Sequence, residues 1–138
     1  MRVARTDDLA ACRALRRTVF IEEQGVPEAD ELDDLDGEAI HLLASIDGTA
    51  VGTARLLLRG DIGKIGRVCV LARCRGAGIG AALIRAAVEE LRHQPGLRQV
   101  KLGSQSHATG FYEKLGFRPV GEGYMDAGIP HRDMVLDL

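Results

Sequence analysis

The chain has 138 residues, of which 46% are hydrophobic. This length predicts one domain over residues 1–138, because two domains of this total size would each have a poor core. A net charge of −2 and an aromatic content of 4% disfavour nucleic acid and membranes as partners. The absence of a long apolar run and of a secretory signal predicts a cytoplasmic location.

The first predicted element is a helix from Asp8 to Phe20. Asp7 suits the N-cap, apolar residues recur at helical spacing, and Gly25 and Pro27 mark the end. The next segment, residues 28–38, carries seven acidic side chains. It is predicted to be an exposed loop or short helix with a solvated acidic surface, the alternative being a surface that attracts a basic acceptor.

Strand-like runs follow, separated by short turns. Their bounds are Ile40–Ile46, Ala50–Leu58 and Lys64–Leu71, which predicts an antiparallel meander. A glycine-rich loop then opens a strong amphipathic helix that runs to about His93. The remaining elements are predicted as a strand at Val100–Leu102, a helix at Ser106–Leu115, and strands at Phe117–Val120 and Arg132–Leu138.

This order predicts an α/β protein of mixed, α+β-like character. The strand, loop, helix and strand in the middle require two parallel strands, whereas the flanking hairpins are antiparallel. The expected architecture is therefore a central mixed, mostly antiparallel sheet flanked by helices.

Alternate glycines lie between a strand and a helix N-terminus, at Gly76, Gly78 and Gly80. Backbone N–H groups and the helix dipole favour an anion there, and Arg73 and Arg75 add positive charge. A pyrophosphate site is the prediction, with a tight turn without ligand as the alternative. A dinucleotide-binding loop would need an acid at the end of the next strand, which residues 100–103 lack.

The segment from Arg75 to Gly80 resembles the R/Q-x-x-G-x-G/A loop of the GNAT superfamily of N-acetyltransferases. Further along, Ala108 and the segment from Phe111 to Phe117 resemble the F-Y-x-x-x-G-F segment of that superfamily. Order and spacing agree over nearly the whole chain, although the short N-terminus suggests an abbreviated first strand. Three more segments, residues 19–27, 65–70 and 128–131, resemble a bacterial GNAT subgroup.

The resemblance implies a GNAT fold, acetyl-CoA as donor, direct transfer within a ternary complex and often a homodimer. It implies a small-molecule or peptide amine as acceptor, without naming it. By the same resemblance, the strand at Val68, Cys69 and Val70 holds the pantetheine and thioester. The residues implied to hold the pyrophosphate are Arg75, Gly76, Ala77, Gly78, Ile79 and Gly80.

Direct transfer needs a group that protonates the leaving thiolate and one that deprotonates the amine. The resemblance implies Tyr112 as the general acid, since a phenol is protonated at neutral pH; the alternative is a tyrosine that only packs the helix. The base candidates are Glu23, His41 and His131, each with a purely structural alternative.

Further residues are expected at the acceptor cleft. Glu22 and Gln105 are candidate substrate contacts, and Arg67 either anchors the acceptor or binds a carboxylate of the preceding acidic loop. No metal is expected, because the histidines and the three cysteines (Cys12, Cys69 and Cys74) lack ligand spacing. The competing functions are a non-catalytic acyl-CoA sensor on the same fold and, less favoured, a nicotinamide-dependent oxidoreductase.

Overall fold

Seven strands, β1–β7, form one sheet in the order β1-β2-β3-β4-β5-β7-β6 in the computed structural model, which describes residues 1–138. The strands are Arg2–Thr6, Ile40–Ile46, Thr49–Arg59, Ile62–Val70, Gln99–Gln105, Arg118–Asp126 and Ile129–Asp137. Four α-helices, α1–α4, span Leu9–Arg16, Glu28–Glu31, Ile79–Arg92 and Thr109–Glu113. A π-helical turn, Arg17–Glu23, extends α1, and short 3₁₀ turns cover Asp36–Glu38, Ala72–Cys74 and Ser106–Ala108.

All neighbouring strands are antiparallel except β4 and β5, which are parallel. This is the predicted mixed, mostly antiparallel sheet. The parallel ladder runs only from the pair Ile62 and Gln99 to the pair Ile65 and Leu102. Beyond it, the two strands separate, while β4 remains paired with β3 as far as Val70.

The helices cover the two faces of the sheet unequally. On one face, α3 buries Leu83, Ile84, Ala87 and Leu91 against apolar residues of the strands. Gly63 on β4 makes room for this helix, because a Cβ at that position would lie 2.7 Å from Leu91 Cδ2. On the other face, α1 and the π-helical turn cover only part of the sheet, where they pack on β2, β3 and β4.

The first strand is short but fully paired. All five residues of β1 have partners on β2, from Arg2 opposite Ser45 to Thr6 opposite His41. It then leads into α1, whose N-cap is Asp8, the side chain of which accepts a hydrogen bond from the Ala11 N–H.

The acidic segment, residues 28–38, differs from the solvated surface that its composition predicts. Glu31 and Asp36 are buried, and Asp33 accepts two hydrogen bonds from Arg55. Arginines of α1 and of the sheet supply the partners, so the carboxylates can leave water as ion pairs. The acids thus attach the segment to the fold.

Three further structural findings concern membrane spans, metal sites and cysteines. The longest helix, α3, has 14 residues, and none of the helices could span a bilayer. The structure contains no group of three or more His, Cys, Asp or Glu side chains arranged to hold a metal ion. All three cysteines are free.

Candidate active site

A cleft of about 830 Å³ opens where β4 and β5 separate. Its floor comes from the sheet face that α1 leaves uncovered, and its walls come from the π-helical turn, α2, α4 and the hairpin of β6 and β7. Parallel strands that separate leave the facing backbone N–H and C=O groups of both edges without ladder partners. The fold therefore presents open hydrogen-bonding edges inside a cavity large enough for a small ligand.

A β-bulge shapes the β4 side of this cleft. Arg55 is paired with Gly66, but Thr53 is paired with Cys69, so β4 holds one extra residue opposite Ala54. Arg67 in the bulge has a φ of +51°. The extra residue shifts by one position which side chains of β4 face each side of the sheet. As a result, Cys69 packs in the small core under α1, and Val68 packs against the larger core.

Burial raises the pKa of the Cys69 thiol to about 12. A thiol with so high a pKa is protonated at neutral pH and makes a poor nucleophile. Cys69 is therefore a core residue, and only its backbone can contribute to the cleft.

The glycine-rich loop precedes α3 and leaves space for an anion. Gly76 and Gly78 have φ values of +83° and +80°, and Gly78 is the N-cap of α3 without a side-chain cap. A Cβ at either position would meet nothing within 4 Å. The left-handed backbone, rather than crowding, therefore requires glycine there, and the first N–H groups of α3 lack intrahelical partners.

An ion pair links this loop to the π-helical turn. Arg75 Nη2 donates to Glu23 Oε1 at 2.9 Å, and Arg75 Nε donates to the Val70 carbonyl oxygen at 3.1 Å. The hydrogen bond from Arg75 lowers the pKa of Glu23. Glu23 therefore remains an ionised carboxylate with a cationic partner, which makes it a weak proton acceptor.

Tyr112 lies on α4 and lines the cleft. Its ring packs edge-on against Phe111 and Phe117, with centroid distances of 5.0 and 6.1 Å. Burial raises the pKa of its hydroxyl, so the phenol keeps its proton well above neutral pH. Phe111 in turn reaches the glycine-rich loop, since a Cβ on Gly80 would lie 3.7 Å from its ring.

His131 lies across the cleft on β7 and lines it as well. Its Nδ1 is 2.7 Å from the carbonyl oxygen of Ile129. A carbonyl only accepts hydrogen bonds, so Nδ1 carries the proton, and the neutral ring has its free lone pair on Nε2. The ring stacks on Tyr124, with centroids 5.9 Å apart.

The comparisons with known proteins agree with this geometry. A family model described as an acetyltransferase (GNAT) domain matches residues 11–138. The chain belongs to the GNAT acetyltransferase family. Protein ElaA of Escherichia coli is 37% identical to this GNAT chain over 134 residues, which cover 94% of the chain and 88% of ElaA.

Solved structures show the same GNAT fold. The crystal structure of ElaA superposes with a TM-score of 0.87 at 32% identity in the superposition, over 98% of both chains. An acyl-CoA N-acyltransferase from Pseudomonas aeruginosa superposes with a TM-score of 0.88 at 31% identity, over 99% of both chains. An aminoglycoside 6′-N-acetyltransferase complexed with coenzyme A shares the fold alone, with a TM-score of 0.76 at 18% identity over 99% of this chain and 97% of that chain.

The GNAT cleft brings together some of the predicted site residues and not others. Tyr112, His131, Arg67, Gln105 and Val68 line it. Gln105 is the residue opposite His131 in the ladder between β5 and β7. Arg67 takes the second of its two predicted roles, because Nη2 donates to Asp33 Oδ2 at 3.3 Å and to the Glu31 carbonyl oxygen at 3.1 Å.

Other predicted residues do not line the cleft: His41, Glu22, Glu23, Cys69, Val70 and the loop from Arg75 to Gly80. His41 is buried, and its Nε2 is 2.9 Å from the Asp36 carbonyl oxygen. His41 lines a separate, more open depression near β1 and the 3₁₀ turn Asp36–Glu38. Glu22 is exposed on the π-helical turn and is not among the residues that line the cleft.

Sequence reasoning missed a group at the far wall of the GNAT cleft. Tyr124 donates its hydroxyl proton to Asp133 Oδ1 at 2.7 Å, and Lys101 Nζ is 3.3 Å from Asp133 Oδ2. Gly103 makes this possible, because a Cβ there would lie 2.5 Å from the Tyr124 oxygen. The sequence signal was available in part: Lys101, Gly103 and Gln105 alternate along β5 on the face that carries His131.

Proposed function

We propose that this GNAT protein is an N-acetyltransferase that moves an acetyl group from acetyl-CoA to a primary amine by direct attack within a ternary complex. The observation that carries the proposal is one cleft bordered by the open edge of β4 and lined by both Tyr112 and His131. The acceptor is a small-molecule or peptide amine, and residues 1–138 act as one catalytic domain.

The donor half of the proposed site follows the strand and the loop. Backbone groups of Val68, Cys69 and Val70 hold the pantetheine arm and the thioester. The pyrophosphate lies on the backbone of the loop, whose residues are Arg75, Gly76, Ala77, Gly78, Ile79 and Gly80. The space around Gly76 and Gly78 and the free N–H groups of α3 support this assignment. The coenzyme A complex of the aminoglycoside enzyme, which shares the fold, supports acetyl-CoA as the donor.

The acceptor half supplies the proton transfers. Acetyl-CoA provides an activated acyl group, a thioester whose carbonyl carbon accepts the amine nitrogen. His131 Nε2 takes one proton from the ammonium form of the amine, which frees the nitrogen to attack. The second proton, which the nitrogen loses as the new C–N bond forms, replaces the one that Tyr112 gives up. Tyr112 gives its hydroxyl proton to the sulfur as the C–S bond breaks, so the products are the N-acetylated amine and free coenzyme A. Gln105, opposite His131, orients the amine.

Thiol release with a panel of amines tests the proposal. Polyamines, amino sugars, amino acids and lysine peptides are each offered with acetyl-CoA, and free coenzyme A is measured with a thiol reagent. Release that depends on one amine class supports the acetyltransferase. Tight acetyl-CoA binding without release for any amine favours the sensor function, and no acetyl-CoA binding at all contradicts both functions.

Replacing His131 by glutamine should lower kcat/KM for the amine about 10²-fold at neutral pH, because a general base is lost. The deficit should shrink as the pH approaches about 10, where an alkyl amine loses its own proton to water. The measurement is a pH profile of kcat/KM for both proteins. His93→Gln is the control, since His93 is exposed at the end of α3. A deficit that is equal at every pH would remove the base role.

A further inference from the structure

Arg67 has an unusual backbone conformation for a residue with a side chain. Its φ of +51° lies in the left-handed region, which a residue with a Cβ adopts at a cost. Such strain persists only where the surrounding structure holds it in place, and it concentrates at functional sites. Arg67 lies in the bulge of β4, directly before the strand edge that is proposed to receive the thioester.

The side chain of Arg67 is bound to the acidic segment rather than left free for a substrate. Nη2 donates to the Glu31 carbonyl oxygen at 3.1 Å and to Asp33 Oδ2 at 3.3 Å. Nε is buried, and its nearest carboxylate oxygen, Glu31 Oε1, is 3.6 Å away. The guanidinium is therefore held by two residues of one segment, on the side of the cleft formed by α2.

That segment is itself fixed by ion pairs to buried arginines. Glu31 Oε1 accepts from Arg16 Nε at 2.7 Å, and both oxygens of Asp33 accept from Arg55, at 2.8 and 2.9 Å. Arg16 and Arg55 are 1% and 5% exposed. Since Arg16 belongs to α1 and Arg55 to β3, the anchor of Arg67 is tied to two elements of the core.

We infer that Arg67 is a positioning residue, which fixes the bulge through the acidic segment and so sets where the open edge of β4 meets the thioester. The inference rests on the proposed function for its catalytic consequence. The effect on the backbone does not depend on that function: the anchor keeps residue 67 at a positive φ, and this conformation sets the positions of residues 68–70. The acidic segment thus acts at a distance on the donor site.

The test compares variants that separate the anchor from the strain. Arg67→Ala removes the anchor and leaves a Cβ at a positive φ, whereas Arg67→Gly removes both, because glycine adopts that φ freely. Asp33→Asn weakens the anchor from outside the cleft. Arg59→Ala is the control, because it breaks an exposed ion pair of β3 with the same segment, to Glu38.

In the ligand-free proteins, Arg67→Ala and Asp33→Asn should shift or broaden the amide NMR resonances of residues 66–70, and Arg59→Ala should not. Arg67→Ala should lower kcat about tenfold, since small misplacements of reacting groups are costly. Arg67→Gly should recover part of that loss. Coenzyme A affinity, measured by calorimetry, should fall less than kcat does, because the loop before α3, which is proposed to hold the pyrophosphate, is untouched.

The outcomes separate the role of Arg67 from the proposed function. Unchanged resonances in Arg67→Ala, a wild-type kcat in that variant, or an Arg67→Gly no faster than Arg67→Ala would each overturn the inference. A wild-type protein that releases no thiol with any amine contradicts the proposed function instead. In that case the resonances of the ligand-free variants still decide whether Arg67 fixes the bulge.

Discussion

Replacement of Tyr112 by phenylalanine should lower kcat about 10²- to 10⁴-fold, the usual contribution of a general acid. The hydroxyl is the only group removed, and the ring keeps its edge-on contacts with Phe111 and Phe117. Because burial raises the pKa of Tyr112, the proton is present across the neutral range, so the deficit should hold from pH 6 to pH 9. The measurement is steady-state thiol release with saturating acetyl-CoA.

Tyr124→Phe provides the matched comparison for that experiment. It removes the same atom from the opposite wall of the cleft, where the Tyr124 hydroxyl already donates its hydrogen bond to Asp133. We expect its effect to fall on KM for the amine rather than on kcat. If Tyr112→Phe turned over at the wild-type rate, Tyr112 would be a packing residue, and the leaving sulfur would take its proton from another source.

Replacement of Asp36 by asparagine should lower the free energy of unfolding by about 3–5 kcal/mol, as is typical when one partner of a buried ion pair is lost. Asp36 is 4% exposed and accepts from Arg13, Arg16 and Arg55 at 3.0, 2.8 and 3.1 Å. The variant leaves Arg16 and Arg55 buried with one carboxylate fewer. Urea denaturation at pH 7 measures the change in unfolding free energy. Thermal unfolding should show a Tm decrease of roughly 10–20 °C.

The pH dependence of this variant gives a second check. The arginine hydrogen bonds hold the pKa of Asp36 well below its usual range against the opposing effect of burial. A lowered folded-state pKa stabilises the protein above the unfolded value of about 3.9, and the stabilisation is lost as the pH falls further. The stability difference between wild type and Asp36→Asn should therefore narrow below about pH 4.

Asp34→Asn is the control for the charge change. Asp34 is exposed in the same acidic segment, so its replacement should leave the unfolding free energy within about 0.5 kcal/mol of wild type. A comparable loss of unfolding free energy in both variants would mean that the acidic segment stabilises the fold through its total charge. The specific ion pairs of Asp36 would then not be responsible.

The parts of the fold with local signals could be predicted from the sequence. The amphipathic pattern of Leu83, Ile84, Ala87, Val88 and Leu91 predicts α3, and in the structure all are buried except Val88, which is partly buried. The bulge of β4 has no such signal, because a bulge exists only relative to a partner strand. The register change between Thr53 and Arg55 therefore had to be seen in the structure.

Elements that contain glycines or charged residues were harder to predict from the sequence. The strand β6 continues through Gly121 and Gly123 to Asp126, although these glycines interrupt the apolar pattern that ends near Val120. For that reason Tyr124 could not be placed in the cleft beforehand. Similarly, the burial of Glu31 depends on Arg16, which lies on another element, and composition alone does not reveal such pairings.

The short ladder between β4 and β5 divides the sheet into two parts, β1–β4 and β5–β7, which are joined by only four residue pairs. Behind that ladder, Val100 and Leu102 of β5 are buried in the core. We expect the angle between the two parts of the sheet to depend on the volume of these interior side chains, since closely packed cores transmit small changes in size. Apolar substitutions at Val100, which does not line the cleft, should therefore change the width of the opening without changing any lining residue.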